Sequence, residues 1–396
     1  MEKYYQRIFL IVLDSLGIGN AKDAKKFGDE GANTLAHIAQ ATNGIQALHL
    51  EGLGLGALGD FQGIYNLPAH FATIAKLNEK SNGKDTMIGH WEMMGLEIKE
   101  PFQTFTEKGF PQALLDELSK RCDNRQIIGN YAASGTEIID ELGEEQIKTG
   151  ALIVYTSADS VLQIAAHEKY IGLDNLYRYC EIARELTMKN EWKVGRVIAR
   201  PYVGERKGEF KRTSNRHDYA LSPFGKTVLD DLKDKQLEVI SVGKINDIFN
   251  GQGITQAYPS KSNEDGMKIT TRLCQEKFKG LVFTNLVDFD ALYGHRRDVE
   301  GYKQAIEAFD KQLGDLLFQL KEDDLLILTA DHGNDPTYKG TDHTREQVFL
   351  LMYSKKMTKP INLGEQNSFA CIGATIADNF GVSLPSIAES LLKYLQ

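Results

Sequence analysis

The sequence predicts an α/β protein: a mostly parallel sheet flanked by helices, interrupted by an inserted α+β domain. Three observations predict it. Short apolar runs at 8–13, 281–287 and 325–330 are continuous and largely branched, as strands buried on both faces are. Between the last two, Tyr302, Ile306, Phe309, Leu313, Leu316, Leu317 and Leu320 recur at helical spacing and predict one long amphipathic helix. Strands alternating with helices define an α/β sheet, and that alternation lapses between about 102 and 219.

Taken in order, the run 8–13 ends in Asp14-Ser15-Leu16-Gly17-Ile18-Gly19, which is turn chemistry, and Asn33 or Thr34 then caps a helix reaching Ala41. The middle mixes a helix at 111–121, a strand at 151–155 and a helix at 173–188. Its stretch 193–216 is unusually basic, with Arg196, Arg200, Arg212 and Arg216 among its cations. The α/β pattern resumes at 228–232 and 237–242 and closes with a strand at 348–353. The expected organisation is a discontinuous core, 1–101 with 220–396, and an inserted cap domain, 102–219.

Composition sets the outer bounds. The 396 residues are 42% hydrophobic and 26% charged, ordinary for a globular chain and enough to bury a core without disulfides. A net charge of −9 argues against a chain built to grip nucleic acid. Cys122, Cys180, Cys274 and Cys371 are far apart and form no CxxC pair, so a reducing cytoplasm is the expected setting. Lys3 and Arg7 precede the first apolar run, but it stops at Asp14, too short for a signal-peptide core or a membrane span. No obligate protein partner is evident.

The chemistry concentrates at strand ends. Three predicted strands each run into aspartate: Asp14, Asp290 (or Asp288) and Asp331. Ligands of an open α/β sheet bind outside the carboxyl ends of its strands, and carboxylates gathered there repel one another unless a cation sits between them. His295, His332 and His343 fall in the same C-terminal region. Carboxylates with imidazoles make mixed sites suited to manganese or zinc, and six ligands suit two ions better than one. Any one of these residues, taken singly, reads as a turn, a cap or a structural histidine; the joint pattern is what points to metal. Thr86, in Gly83-Lys84-Asp85-Thr86, is the candidate nucleophile, since metal coordination activates a hydroxyl. Read alone it is simply a helix N-cap, and only the metal pattern around it favours the nucleophile. Two decoys fall away: the GxGxxG at 54–59 lacks a clear preceding strand, and Gly83-Lys84 is followed by Asp85 rather than Ser or Thr.

The segments FLIVLDSLGIGNAKDA, GKDTMIGHWEMMG, YTSADSVLQIAAHE, TSNRHDYAL, NLVDFDALYGHRRD and TADHGNDPTYKGTDHTRE together resemble the bacterial phosphopentomutase family of the alkaline phosphatase superfamily. The resemblance spans nearly the whole chain. It implies an alkaline-phosphatase-like core and two Mn2+ ions. Asp14, Thr86, Asp331 and His332 would surround one ion; Asp290, His295 and His343 would hold the other, and the spacing to His295 favours Asp290 over Asp288. Thr86 would carry the phosphoryl group. Arg196, Arg212 and Lys244 would hold the substrate phosphate not in transfer, and Asp159 a sugar hydroxyl; the bland reading of the basic stretch is a solvated surface. The activity implied is interconversion of α-D-ribose 1-phosphate and D-ribose 5-phosphate, and of the 2-deoxy pair, through phosphothreonine and a pentose 1,5-bisphosphate. A sugar bisphosphate (glucose 1,6-bisphosphate or ribose 1,5-bisphosphate) would prime it. The competing readings are a phosphatase or phosphodiesterase on the same metal core, a cofactor-independent phosphoglycerate mutase (normally longer, with a serine nucleophile), and a non-enzymatic phosphosugar- or metal-binding protein.

Overall fold

The computed structural model describes residues 5–157 and 160–395. It divides into two compact units, Met1–Glu100 with Ser222–Gln396, and Pro101–Leu221. No helix among the described residues is long and apolar enough to cross a membrane.

The larger unit is built on a nine-stranded sheet. Its centre is the strand Arg7–Leu13, buried at every position and paired in parallel with Gly280–Leu286 on one side and Asp324–Thr329 on the other. The sheet continues past Gly280–Leu286 to Glu238–Val242 and Gln256–Tyr258, again in parallel. On the other side Glu346–Tyr353 joins antiparallel, followed by Thr73–Leu77 and Asn362–Gln366. The register sets Leu13 beside Leu286 and Val12 beside Thr329, so three adjacent strands end level with one another. Arg7 is not a flanking charge: it opens the strand, and its buried guanidinium grips the Asp324 carboxylate with two hydrogen bonds of 2.8 and 2.7 Å. The helix Val299–Gln319 buries Tyr302, Ile306, Phe309, Leu313 and Leu316, the stripe expected from its spacing. Asn33 caps the helix Thr34–Ala41 by accepting from the Ala36 N–H.

The smaller unit has its own six-stranded sheet. The helices Gln112–Arg121 and Leu173–Leu186 share one hydrophobic core with Leu152, Val154, Leu162 and Val197. A separate core joins Ile138 and Ile139 of the helix Gly135–Thr149 to Ile153, Tyr155, Ala165 and Tyr202. Sequence patterning does not announce that helix, nor the strands Ile127–Ala132, Val161–His167 and Arg196–Val203.

Candidate metal centre

The level strand ends place the site. Asp14 leaves the strand Arg7–Leu13 just before Ser15, which takes a positive φ of 65° and turns the chain over. Asp331 and His332 follow Asp324–Thr329, and the Ser15 N–H donates to Asp331 Oδ1 at 3.0 Å, coupling the two turns.

The third strand ends differently from the simple expectation. It does not run straight into Asp288 and Asp290: the strand stops at Leu286 and Phe289–Gly294 forms a π-helical turn. Asp288 Oδ2 accepts from the Asn263 N–H at 2.7 Å, tying it to a neighbouring helix. Asp290 turns inward and is buried. The i to i+5 hydrogen bond from the His295 N–H to the Asp290 carbonyl (2.9 Å) brings His295 Nε2 to 3.1 Å from Asp290 Oδ2. The five-residue spacing of the DALYGH segment is thus the period of a π-turn.

Two groups of donors result, Asp14 with Asp331 and His332, and Asp290 with His332 and His343. In each, one atom per residue lies within 4.8 Å of the others. The three imidazoles are oriented alike. His332 Nδ1 faces the Gly333 carbonyl, His343 Nδ1 the Lys84 carbonyl and His295 Nδ1 the Thr341 carbonyl, each at 3.0 Å. A carbonyl only accepts, so each Nδ1 carries a proton and each Nε2 faces the site; with a cation bound there, each Nε2 would give up any proton and present its lone pair. Those Nε2 atoms converge: His343 Nε2 is 3.1 Å from His295 Nε2 and 3.5 Å from Asp290 Oδ1.

The electrostatics call for a cation. Buried Asp14 Oδ1 and Asp331 Oδ2 have no hydrogen-bond partner among the described residues. Burial, then repulsion from Asp331 and Asp290, pushes Asp14 well above the usual carboxylate range. Burial lowers His332 to about 4, leaving it neutral at pH 7. Burial also raises Asp290, but the charge and hydrogen bonds of His343 and His295 outweigh it and hold that carboxyl well below the usual range. Orphaned carboxylate oxygens facing aligned imidazole Nε2 atoms fit divalent ions of the manganese or zinc type.

Thr86 is the first residue of the helix Thr86–Met93, and it is not the cap: Asp85 accepts from the Ile88 N–H at 3.1 Å. Its hydroxyl is therefore available to the site, and Oγ1 lies 3.1 Å from His332 Nε2. Lys244 is exposed at the carboxyl end of Glu238–Val242. Arg196 opens the strand Arg196–Val203 and Arg212 lies exposed on Lys211–Arg212, both in the smaller unit. Asp159 lies outside the described residues. Sequence patterning does not single out the residues that hold the ligands. Asn285 Nδ2 donates to Asp14 Oδ2 at 2.8 Å, and Asn334 Nδ2 to Asp290 Oδ1 at 2.7 Å. Asn334 is itself held by Arg297 at 2.7 Å. All three sit inside the quoted motifs, but nothing in a lone sequence says which carboxylate an amide will reach.

Fold and site together define a metalloenzyme, and a model of the metalloenzyme superfamily matches residues 6–384. Phosphopentomutase of Clostridium tetani is 61% identical over 99% of this chain and 100% of its own. That of Clostridium beijerinckii is 60% identical with the same coverage. Among solved structures, PH0037 protein from Pyrococcus horikoshii (TM-score 0.50, 15% identity) covers 96% of this chain and 98% of its own. Leishmania mexicana phosphoglycerate mutase (TM-score 0.51, 12% identity) covers 98% and 97%; these two likenesses show the shared fold. The chain belongs to the phosphopentomutase family, and it is a phosphomutase, an enzyme of the isomerase class.

Proposed function

We propose that the chain interconverts α-D-ribose 1-phosphate and D-ribose 5-phosphate, and the 2-deoxy pair, by way of phosphorylated Thr86. The observation that carries the reading is the Thr86 hydroxyl, 3.1 Å from His332 Nε2 at the opening of a helix whose first-turn N–H groups suit a phosphate. Family membership supports the choice of substrate, since the relatives are named for it.

Asp14, Asp331 and His332 would hold one divalent ion and Asp290, His295 and His343 the other, with Thr86 beside the first; manganese is the metal we expect. When bound, such ions neutralise the charge of a transferring phosphoryl group. The residues of the chain supply the rest. Thr86 Oγ1 gives its phosphoryl to the free hydroxyl of the sugar phosphate: the Thr86 O–P bond breaks, an O–P bond to the sugar forms, and the proton of that hydroxyl ends on Thr86 Oγ1, restoring the threonine hydroxyl. The pentose 1,5-bisphosphate then turns end for end, and Thr86 takes the other phosphoryl. Arg196 and Arg212, whose planar forks match phosphate, and Lys244 would hold the phosphate not in transfer, with Asp159 on a sugar hydroxyl. The inserted unit would act as a cap that keeps water from the phosphothreonine. A sugar bisphosphate would be needed to load Thr86 initially.

Phosphorus NMR of the protein with manganese, ribose 1-phosphate and a trace of glucose 1,6-bisphosphate tests this. Growth of ribose 5-phosphate without inorganic phosphate is the expected result. Growth of inorganic phosphate instead would make the chain a phosphatase on the same metal core.

A further inference from the structure

We propose that Arg345 is a positioning residue for phosphoryl transfer, holding the loop that presents Thr86; the inference rests on Thr86 as the phosphoryl acceptor. Arg345 lies two residues after His343 in the TDHTRE segment and is among the largest fully buried side chains. Its guanidinium is committed to three segments. Nε and Nη2 donate to the Asp23 carboxylate at 3.0 and 3.1 Å. Nη1 donates to Glu79 Oε2, and Nη2 to the Glu79 carbonyl at 2.7 Å. Nη1 also donates to the Gly83 carbonyl. These five hydrogen bonds match the five N–H donors of the group.

Burying a guanidinium is costly unless every donor is used, so an arginine here is held for what it ties together. Asp23 alone would satisfy the charge. The bonds to Glu79 and Gly83 reach further, along the stretch that leads into Thr86. The next carbonyl, Lys84, accepts from His343 Nδ1 at 3.0 Å. Two consecutive carbonyls of the nucleophile loop are thus fastened to residues two apart on one strand entry, one by Arg345 and one by His343. Lys84 adds a third tie through its own side chain, with Nζ 2.9 Å from Asp29 and 3.1 Å from Asp342. Asp29 in turn accepts from the Arg345 N–H at 2.9 Å. Between the strand Thr73–Leu77 and the helix that opens at Thr86 the loop has no regular structure of its own. The Glu92 carboxylate holds the Lys80 and Ser81 N–H groups and the Ile98 carbonyl the Asn82 N–H, while the ties closer to Thr86, at the Gly83 and Lys84 carbonyls, are made by Arg345 and His343. Lysine at 345 would keep the charge, but it cannot span Asp23, Glu79 and Gly83 at once.

The test uses the full chain with manganese and glucose 1,6-bisphosphate. It follows phosphorylation of Thr86 by mass spectrometry, kcat and KM for ribose 1-phosphate, bound metal, and the thermal midpoint. Three proteins are compared: wild type, Arg345→Lys and Asp23→Asn. A misplaced nucleophile costs about tenfold to hundredfold in rate. Arg345→Lys is therefore expected to keep its metal and its KM while its phosphorylation rate and kcat fall together by that factor. Asp23→Asn keeps the Gly83 and Glu79 contacts, so it should melt lower yet phosphorylate near the wild-type rate. Wild-type phosphorylation rate and kcat in folded Arg345→Lys overturn the proposal, and so does a rate loss in Asp23→Asn equal to that in Arg345→Lys. If Arg345→Lys does not fold, Glu79→Gln with Asp23→Asn decides: the two backbone clamps remain, and a rate loss beyond about tenfold overturns the positioning role. Absence of phosphate on wild-type Thr86 would overturn the nucleophile reading itself, and this inference with it.

Discussion

A threonine hydroxyl is a poor nucleophile, and the surroundings of Thr86 bear on how one could be recruited. It sits at the first helical position while Asp85 does the capping, and its Oγ1 meets a neutral His332 rather than a backbone N–H. Removing the hydroxyl deletes no cap and no metal-facing carboxylate. Thr86→Ala should therefore bind metal as wild type does while losing turnover by roughly 10³-fold or more, as loss of a nucleophile does in other enzymes. Metal content and kcat measured on one preparation check this, and appreciable turnover would falsify the assignment. Arg212, exposed and remote in sequence from every candidate ligand, makes the opposite prediction. Arg212→Ala should raise KM for the pentose phosphate about tenfold to hundredfold, the value of a charge-assisted hydrogen bond, with metal content unchanged. Equal loss of both would mark a structural role.

At the scale of elements, the helix Thr86–Met93 comes very close to the turn that carries Asp331. A Cβ built on Gly89 would lie 2.4 Å from the Asp331 carbonyl oxygen, a contact with backbone that cannot swing aside. Gly89→Ala should thus force the helix away, destabilising the protein by about 1–3 kcal/mol. It should also lower kcat by drawing Thr86 off His332, which thermal melts and kinetics would register together. Some of this architecture was legible in the sequence. The strand Arg7–Leu13 and the helix Val299–Gln319 are buried on both faces or along one clear stripe, so periodicity alone defines them. The helix Gly135–Thr149 was not legible: its buried face is Ile138, Ile139, Gly143 and Gln146, and a glycine and a glutamine do not read as core. Gly143 is there because Phe210 packs within 2.6 Å of where its Cβ would be. The π-turn at Phe289–Gly294 was equally hidden, because its signature is a hydrogen bond and not a composition. Of the candidate site, the aspartates stand out by their positions after predicted strands, and the histidines by falling in the same C-terminal region. Asn285, Asn334 and Arg345 do not, since their roles are set by partners 271, 44 and 262 residues away.

For the whole molecule, the donor groups join segments from both ends of the chain, Asp14 with Asp331 and His332, and Asp290 with His343. An ion bound there would link the first strand to the last third of the sequence, so chelation should lower the melting temperature, and added manganese should restore it in proportion to ln[Mn2+]. The chelated protein should also have a characteristic pH dependence. His332 falls from its ordinary 6.5 to about 4 on folding because it is buried. A histidine with a lowered folded pKa binds its proton more readily when unfolded, so between those values the unfolded state takes up the extra proton. Stability from this group is intact above about 6.5 and drains away as pH falls toward about 4. Over that window the loss amounts to about 3 kcal/mol for a single site. Buried Glu346, raised to about 7, and Asp14, raised well above the usual range, gain stability over the same fall in pH, so the His332 contribution is read as a difference: in denaturant melts of the chelated proteins, the stability of wild type minus that of His332→Asn should decline as pH falls between those values. With manganese present the decline should steepen, since protons then compete with the ion for the same imidazole and for Asp14 as well. A His332→Asn protein with an unchanged pH slope would mean that the imidazole is reached by water in the chelated state, and that the site opens when its metal leaves.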